Sequence, residues 1–202
     1  MRKTDNFALL MVDLQVDFCS PEGFAAKLGR NLEPIKLMLP KLKQFYREIK
    51  KLDIPVIFAQ YVARKDLSPK NIKINRDREE KARMCLYNSS GANIYYFRPK
   101  EPDIVIKHSF YDAFANTGLN KVLYRKGINT LIIAGVRTEL SVDATAKRAI
   151  SEGFEVVLPS DLVSTYQEKW TLQKEFLELF NRYYGNVKES EEILINLQDL
   201  YL

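Results

Sequence analysis

Three residues draw attention by where they fall in the chain: Asp13, Lys107 and Ser141. Asp13 follows the apolar run Phe7–Val12, Lys107 closes the run Asp103–Lys107, and Ser141 sits in the first turn of a helical pattern that follows Thr130–Gly135. Open parallel sheets bind ligands just beyond the carboxyl ends of their strands. A carboxylate, an ammonium and a hydroxyl gathered there could act as base, charge stabiliser and nucleophile. Each also has a plainer reading, as a strand-end turn residue, a solvated lysine and a serine at a helix N-terminus. The chain holds one histidine, His108, which disfavours transition-metal and histidine-triad chemistries that draw on several imidazoles. In an extended segment His108 turns away from its neighbour Lys107, which makes it a surface imidazole. Cys19 and Cys85 are far apart and read as packing or loop thiols.

Positioning such residues needs a scaffold of strands and helices, and the apolar pattern supplies one. Phe7–Val12 is a continuous apolar run of the kind a fully covered parallel strand shows. Ile54–Gln60, Asp103–Lys107, Thr130–Gly135 and Phe154–Pro159 are short and rich in Val and Ile, which predicts four more strands. Between Leu32 and Leu52 the residues Ile35, Leu39, Leu42, Phe45 and Ile49 recur every three or four positions, which predicts an amphipathic helix with Pro34 in its first turn. Further helical patterns cover Leu119–Lys126, Glu139–Gly153 and Gln167–Tyr184. A sixth strand near Val187 and a closing helix over Ser190–Leu200 complete the set. Alternating strands and helices predict an α/β domain whose parallel sheet is covered on both faces and joined by right-handed crossovers.

Composition bounds the rest. A chain of 202 residues can bury roughly 70% of the surface its unfolded form exposes, so it needs neither disulfide nor metal to hold a core. No linker or repeat interrupts it, so a single domain over residues 1–202 is expected. No signal peptide is visible and no apolar run approaches the ~18 residues of a membrane helix, so the expectation is a cytoplasmic protein without membrane contact. Lysine and arginine exceed aspartate and glutamate by 31 to 26 without clustering on a groove-reading motif, so no nucleic-acid partner is expected. The one dense charged stretch, Arg64 to Lys81, mixes both signs and reads as a solvated loop.

The strings around the three residues carry a resemblance. Ala8-Leu9-Leu10-Met11-Val12-Asp13-Leu14-Gln15-Val16-Asp17-Phe18 resembles the opening motif of the isochorismatase-like cysteine hydrolases, in which the first Asp is the catalytic base. Val105-Ile106-Lys107-His108-Ser109-Phe110-Tyr111-Asp112-Ala113-Phe114 is similar to that family's lysine motif. Ile132-Ile133-Ala134-Gly135-Val136-Arg137-Thr138-Glu139-Leu140-Ser141-Val142 is similar to the segment that carries its nucleophile. The resemblance implies a three-layer α/β/α fold with a six-stranded, mostly parallel, Rossmann-like sheet. It implies an active site of Asp13, Lys107 and position 141, with an oxyanion hole from the backbone N–H groups of Arg137 and Ser141 beside a non-proline cis peptide at Val136-Arg137. The Arg137 side chain is expected to point to solvent or to a neighbouring subunit. Gln60, Phe18 and Tyr111 are candidate substrate contacts. No cofactor or metal is expected, because the stretch Gln60 to Lys65 lacks the histidines of the metal-binding nicotinamidases. A dimer or tetramer of identical chains is implied as well.

This chain departs from the family at its nucleophile: Ser141 stands where the resemblance calls for cysteine. A helix N-terminus and a cation nearby favour a thiolate, whereas an alcohol gains far less. Three readings stay open. Ser141 replaces a cysteine by an introduced exchange that holds substrate in place, in an enzyme that cleaves a C–N bond of a small amide or carbamoyl compound. Alternatively, it is native to an enzyme of the isochorismatase type, which protonates a vinyl ether and forms no covalent intermediate, or it belongs to a silent protein that only binds.

Overall fold

The computed structural model describes residues 6–64 and 83–201. The charged stretch expected to be a solvated loop therefore lies almost wholly outside the described residues. In chain order the elements are β1 (Phe7–Val12), α1 (Val16–Cys19), α2 (Phe24–Lys27), α3 (Glu33–Lys51), β2 (Val56–Tyr61), β3 (Ile104–His108) and α4 (Leu119–Arg125). They continue as β4 (Thr130–Val136), α5 (Asp143–Ser151), β5 (Glu155–Pro159), β6 (Val163–Ser164), α6 (Trp170–Tyr183), β7 (Asn186–Lys188) and α7 (Ser190–Tyr201).

The strands form one sheet in the order β3-β2-β1-β4-β5-β7, and the two-residue β6 pairs with the end of β4. Every strand pairing is parallel. Six strands match the expectation from sequence; β6 is an addition, too short to leave a periodic signal.

Both faces of the sheet are covered, and β1 and β4 are buried at every position. Successive side chains of a strand point to opposite faces. Leu9 and Met11 thus join Ile132 and Ala134 in a core beneath α3 and α7, where Ile35, Leu42, Phe45, Ile193 and Leu197 are buried. Leu10 and Val12 join Leu131 and Ile133 in the opposite core, beneath α4, α5 and α6, where Leu123, Ala146, Ala149 and Phe180 are buried. The layering is helix, sheet, helix.

The strand order places the site. From β1 the chain moves to β2 and β3 on one side, then returns across to β4 on the other. The sequence therefore reverses direction in the sheet between β1 and β4, where chains leaving the two strands diverge and open a crevice. Register brings Val12 opposite Gly135, so Asp13 and the 137–142 turn emerge side by side. A Cβ at Gly135 would lie 2.1 Å from the Val12 carbonyl oxygen, and Gly135 has φ +130°, a region that L side chains rarely adopt.

Gly135→Ala should therefore destabilise the fold by about 3 kcal/mol or more, from backbone strain and overpacking together. Urea unfolding followed by far-UV circular dichroism would show the midpoint falling; an unchanged midpoint would mean that β1 and β4 are not pressed together as described.

Candidate active site

Asp13 is the first residue beyond β1, and only 1% of it is exposed. Its backbone leaves the strand abruptly, with φ +53°. The Asp13 N–H still donates to Ala59 O on β2 at 3.0 Å, while its carbonyl accepts from Gln15 N two residues on. This turn swings the carboxylate across the end of β2. A buried carboxylate is stable only if paired. One partner is His108, the last residue of β3, whose Nε2 lies 2.9 Å from Asp13 Oδ1. Its Nδ1 lies 3.0 Å from the Phe110 carbonyl oxygen. Both side chains are essentially sealed from solvent.

This corrects two expectations. Lys107 is exposed, on the other side of β3 from His108. His108 is not a surface imidazole but is 2% exposed. Alternation along the strand does separate the two residues, as expected. The face that turns inward is that of Ile106 and His108, because β3 is an edge strand with Val105 and Lys107 facing solvent. Among the described residues, the cationic-capable group bonded to the carboxylate is thus an imidazole.

Ser141 is 1% exposed and lies in a π-helical turn, Thr138–Val142, that precedes α5. The Arg137 carbonyl accepts from both Leu140 N and Val142 N, which winds the turn around it. Thr138 Oγ1 donates to Gln173 on α6 at 3.0 Å, fixing the turn's outer side. The Val136–Arg137 peptide is cis. Of the two expected placements of the Arg137 side chain, solvent or a neighbouring subunit, the first is not seen: it is 14% exposed. It bonds Glu139 at 2.8 Å and its guanidinium lies over the Tyr166 ring, 4.9 Å from the centroid.

The candidate substrate contacts separate into three kinds. Phe18 is 1% exposed and packs in the core against Tyr61, with ring centroids 6.2 Å apart. The Gln60 amide donates to Ala92 O at 2.7 Å, so it braces the floor of the site. Tyr111 is half-buried and lines a cleft of about 710 Å³ together with Arg137, Leu140, Asp143 and Phe176. That cleft runs along α5 and α6 to the turn carrying Ser141.

Two residues of the opening motif hold the site together and were not singled out from sequence. Gln15 is fully buried; its amide donates to Tyr61 O and Ala92 O and accepts from Tyr61 N, so one side chain copies the ladder bonding of a strand. Asp17 accepts from Phe24 N and from Cys85 N. Both sit in the run Asp13-Leu14-Gln15-Val16-Asp17, where a polar residue at every second position was the available signal.

Cys19 and Cys85 are buried, as expected of packing thiols. Burial pushes the Cys19 thiol far above its ordinary range, with the charge of Asp13 adding to the effect and a backbone bond to Gln15 opposing it. Among the described residues no group of three His, Cys, Asp or Glu side chains is placed to hold a metal ion. Nor is any described helix long and apolar enough to cross a membrane.

With this geometry in view, comparison with known proteins is direct. A sequence model of the isochorismatase domain matches residues 7–192, so the chain belongs to the isochorismatase family of hydrolases. The isochorismatase family protein YddQ of Bacillus subtilis is 26% identical over 200 residues, covering 93% of this chain and 98% of that protein. The ureidoacrylate amidohydrolase RutB of Yersinia enterocolitica is 29% identical over 170 residues, covering 77% of this chain and 74% of that protein. Among solved structures, a cysteine hydrolase from Pseudomonas syringae superposes with a TM-score of 0.85 at 18% identity, covering 100% of this chain and 96% of its own, which supports the fold.

The contrast between adjacent residues is testable by stability alone. His108→Ala removes the imidazole bonded to the buried Asp13 carboxyl and should cost about 3 kcal/mol or more, whereas Lys107→Ala should leave the unfolding midpoint unchanged. Urea titrations of the two variants beside the parent would check this; equal losses would return Lys107 to the site.

Proposed function

We propose that the chain hydrolyses a C–N bond of a small amide or carbamoyl compound, with position 141 as the nucleophile and Asp13 as the proton-transferring group. The observation that supports this reading is a buried carboxylate–imidazole pair beyond β1, with a buried hydroxyl in the turn that follows the neighbouring strand β4. The amidohydrolase name of the relative from Yersinia supports the bond class. In this reading Ser141 Oγ attacks the carbonyl carbon and its proton passes to Asp13. Backbone N–H groups at residues 137 and 141 steady the oxyanion, and the amine leaves with a proton from Asp13. Water then releases the acyl group from Ser141 by the same sequence of transfers. His108 does not serve as the serine's base, because both its ring nitrogens already face acceptors. The cleft beside Tyr111 and Leu140 is the proposed approach for substrate.

A second reading is favoured by the hydroxyl itself. Serine is far harder to deprotonate than cysteine, and a carboxylate is a weak base for it. An enzyme that protonates a vinyl ether through Asp13 and forms no covalent intermediate has no need of a thiol.

Ser141→Cys should raise hydrolysis of a panel of small amides, carbamoyl and ureido compounds by about two orders of magnitude or more, because the thiolate supplies what the alcohol lacks. Intact mass spectrometry should show an acyl adduct on the cysteine form, lost in Ser141→Ala. No turnover by the cysteine form, with hydrolysis of a vinyl ether acid by the serine form, would replace the amide reading with the ether reading.

A further inference from the structure

The hydrogen bonds of His108 restrict its protons more tightly than those of an ordinary histidine. A neutral imidazole carries one N–H and one bare nitrogen, and which nitrogen holds the proton follows from what each one faces. Nδ1 faces the Phe110 carbonyl oxygen at 3.0 Å, and a carbonyl has no proton to give. Nδ1 must therefore be the donor in any state that keeps this contact. Nε2 faces Asp13 Oδ1 at 2.9 Å. With Nδ1–H fixed, a neutral ring and an ionised carboxylate would set two lone pairs against each other across that distance, in a place sealed from water. The contact holds only if one more proton lies between Nε2 and Oδ1.

We propose that Asp13 and His108 share this proton at rest, and that His108 is a positioning residue that keeps it available to the carboxyl. Two neighbouring groups, Tyr61 and Cys19, do not compete for it. Burial pushes the Tyr61 hydroxyl and the Cys19 thiol well above their ordinary ranges, with the charge of Asp13 adding to each, so both stay protonated and neutral. The consequence for catalysis rests on the hydrolase reading above. As the bond from Ser141 Oγ to the carbonyl carbon forms and the C–N bond breaks, the pair gives its proton to the departing nitrogen. It takes the serine's hydroxyl proton in exchange. In the second half, water adds to the acyl carbon, the C–O bond to Ser141 breaks with the pair's proton going to Oγ, and a proton of the water refills the pair. Each half-reaction begins and ends with one shared proton.

The single histidine makes the test unambiguous. In uniformly 15N-labelled protein, long-range proton–nitrogen correlation of the one imidazole should show Nδ1 protonated in the folded chain. A far-downfield proton between Nε2 and Oδ1, protected from exchange with water, should accompany it. Asp13→Asn should abolish that downfield proton and keep Nδ1–H, whereas a ring that is buried for packing alone would show no such dependence on residue 13. A neutral Nε2–H tautomer with bare Nδ1, absence of the downfield proton in the parent chain, or its survival in Asp13→Asn would overturn the proposal. None of these measurements involves Ser141 or turnover, so their outcome is separable from that of the amide panel.

Discussion

Asp13 imposes the constraint on which the rest of this site depends: a carboxylate cut off from water has to be met by a donor, or the fold loses more than the carboxylate contributes. Meeting it takes three strands. β1 delivers the residue and β4 crowds the strand end closely enough that glycine alone fits opposite Val12. The imidazole comes from β3, reaching past β2. Gln15 supplies the missing ladder bonds where β1 has ended but β2 continues, so the strand end can be irregular without leaving backbone groups orphaned. The strain of a positive φ at Asp13 is thus held by bonds on either side of it.

Much of this frame could be read from the chain beforehand, and the reason is burial. Strands covered on both faces carry continuous apolar runs, as β1 and β4 do, and a helix lying on a sheet carries the three-and-four spacing seen in α3. Resemblance placed Asp13 and Ser141 at the crevice. What the sequence did not convey was parity at β3. Val105 and Lys107 look like a buried valine followed by a reaching cation, but at a sheet edge the apolar residue is half exposed and the polar histidine is the one turned in. Edge position is a property of topology, so no local pattern announces it. The π-helical turn escaped for a similar reason: its five residues read as the first turn of α5, and the extra residue per turn is set by packing against α6.

Replacing an ammonium by an imidazole beside the carboxylate changes what the site can do. A lysine carries three donors on a flexible stem and serves chiefly as a point charge, whereas a histidine offers two fixed directions, one of them spent here on the Phe110 carbonyl. Replacing a thiol by a hydroxyl at position 141 removes the group that gains most from a helix start. In the proposed reading the two departures are chemically coherent, because a site with a weaker nucleophile would depend more heavily on well-placed proton transfer. That coherence favours treating the serine and the histidine as parts of one design.

The carboxylate of Asp17 fastens stretches of the chain that lie far apart in sequence. It gathers Phe24 N–H and Cys85 N–H onto one side chain, and a Cβ on Gly91 would collide with it. Close by, Ala63 N–H donates to Cys85 O and Tyr87 N–H to Ala63 O. Residues 63 and 85 are therefore bonded directly to each other, and Asp17 fastens the second of them to the start of α2. The carboxylate is in effect a buckle: losing it would release two separate stretches of chain at once.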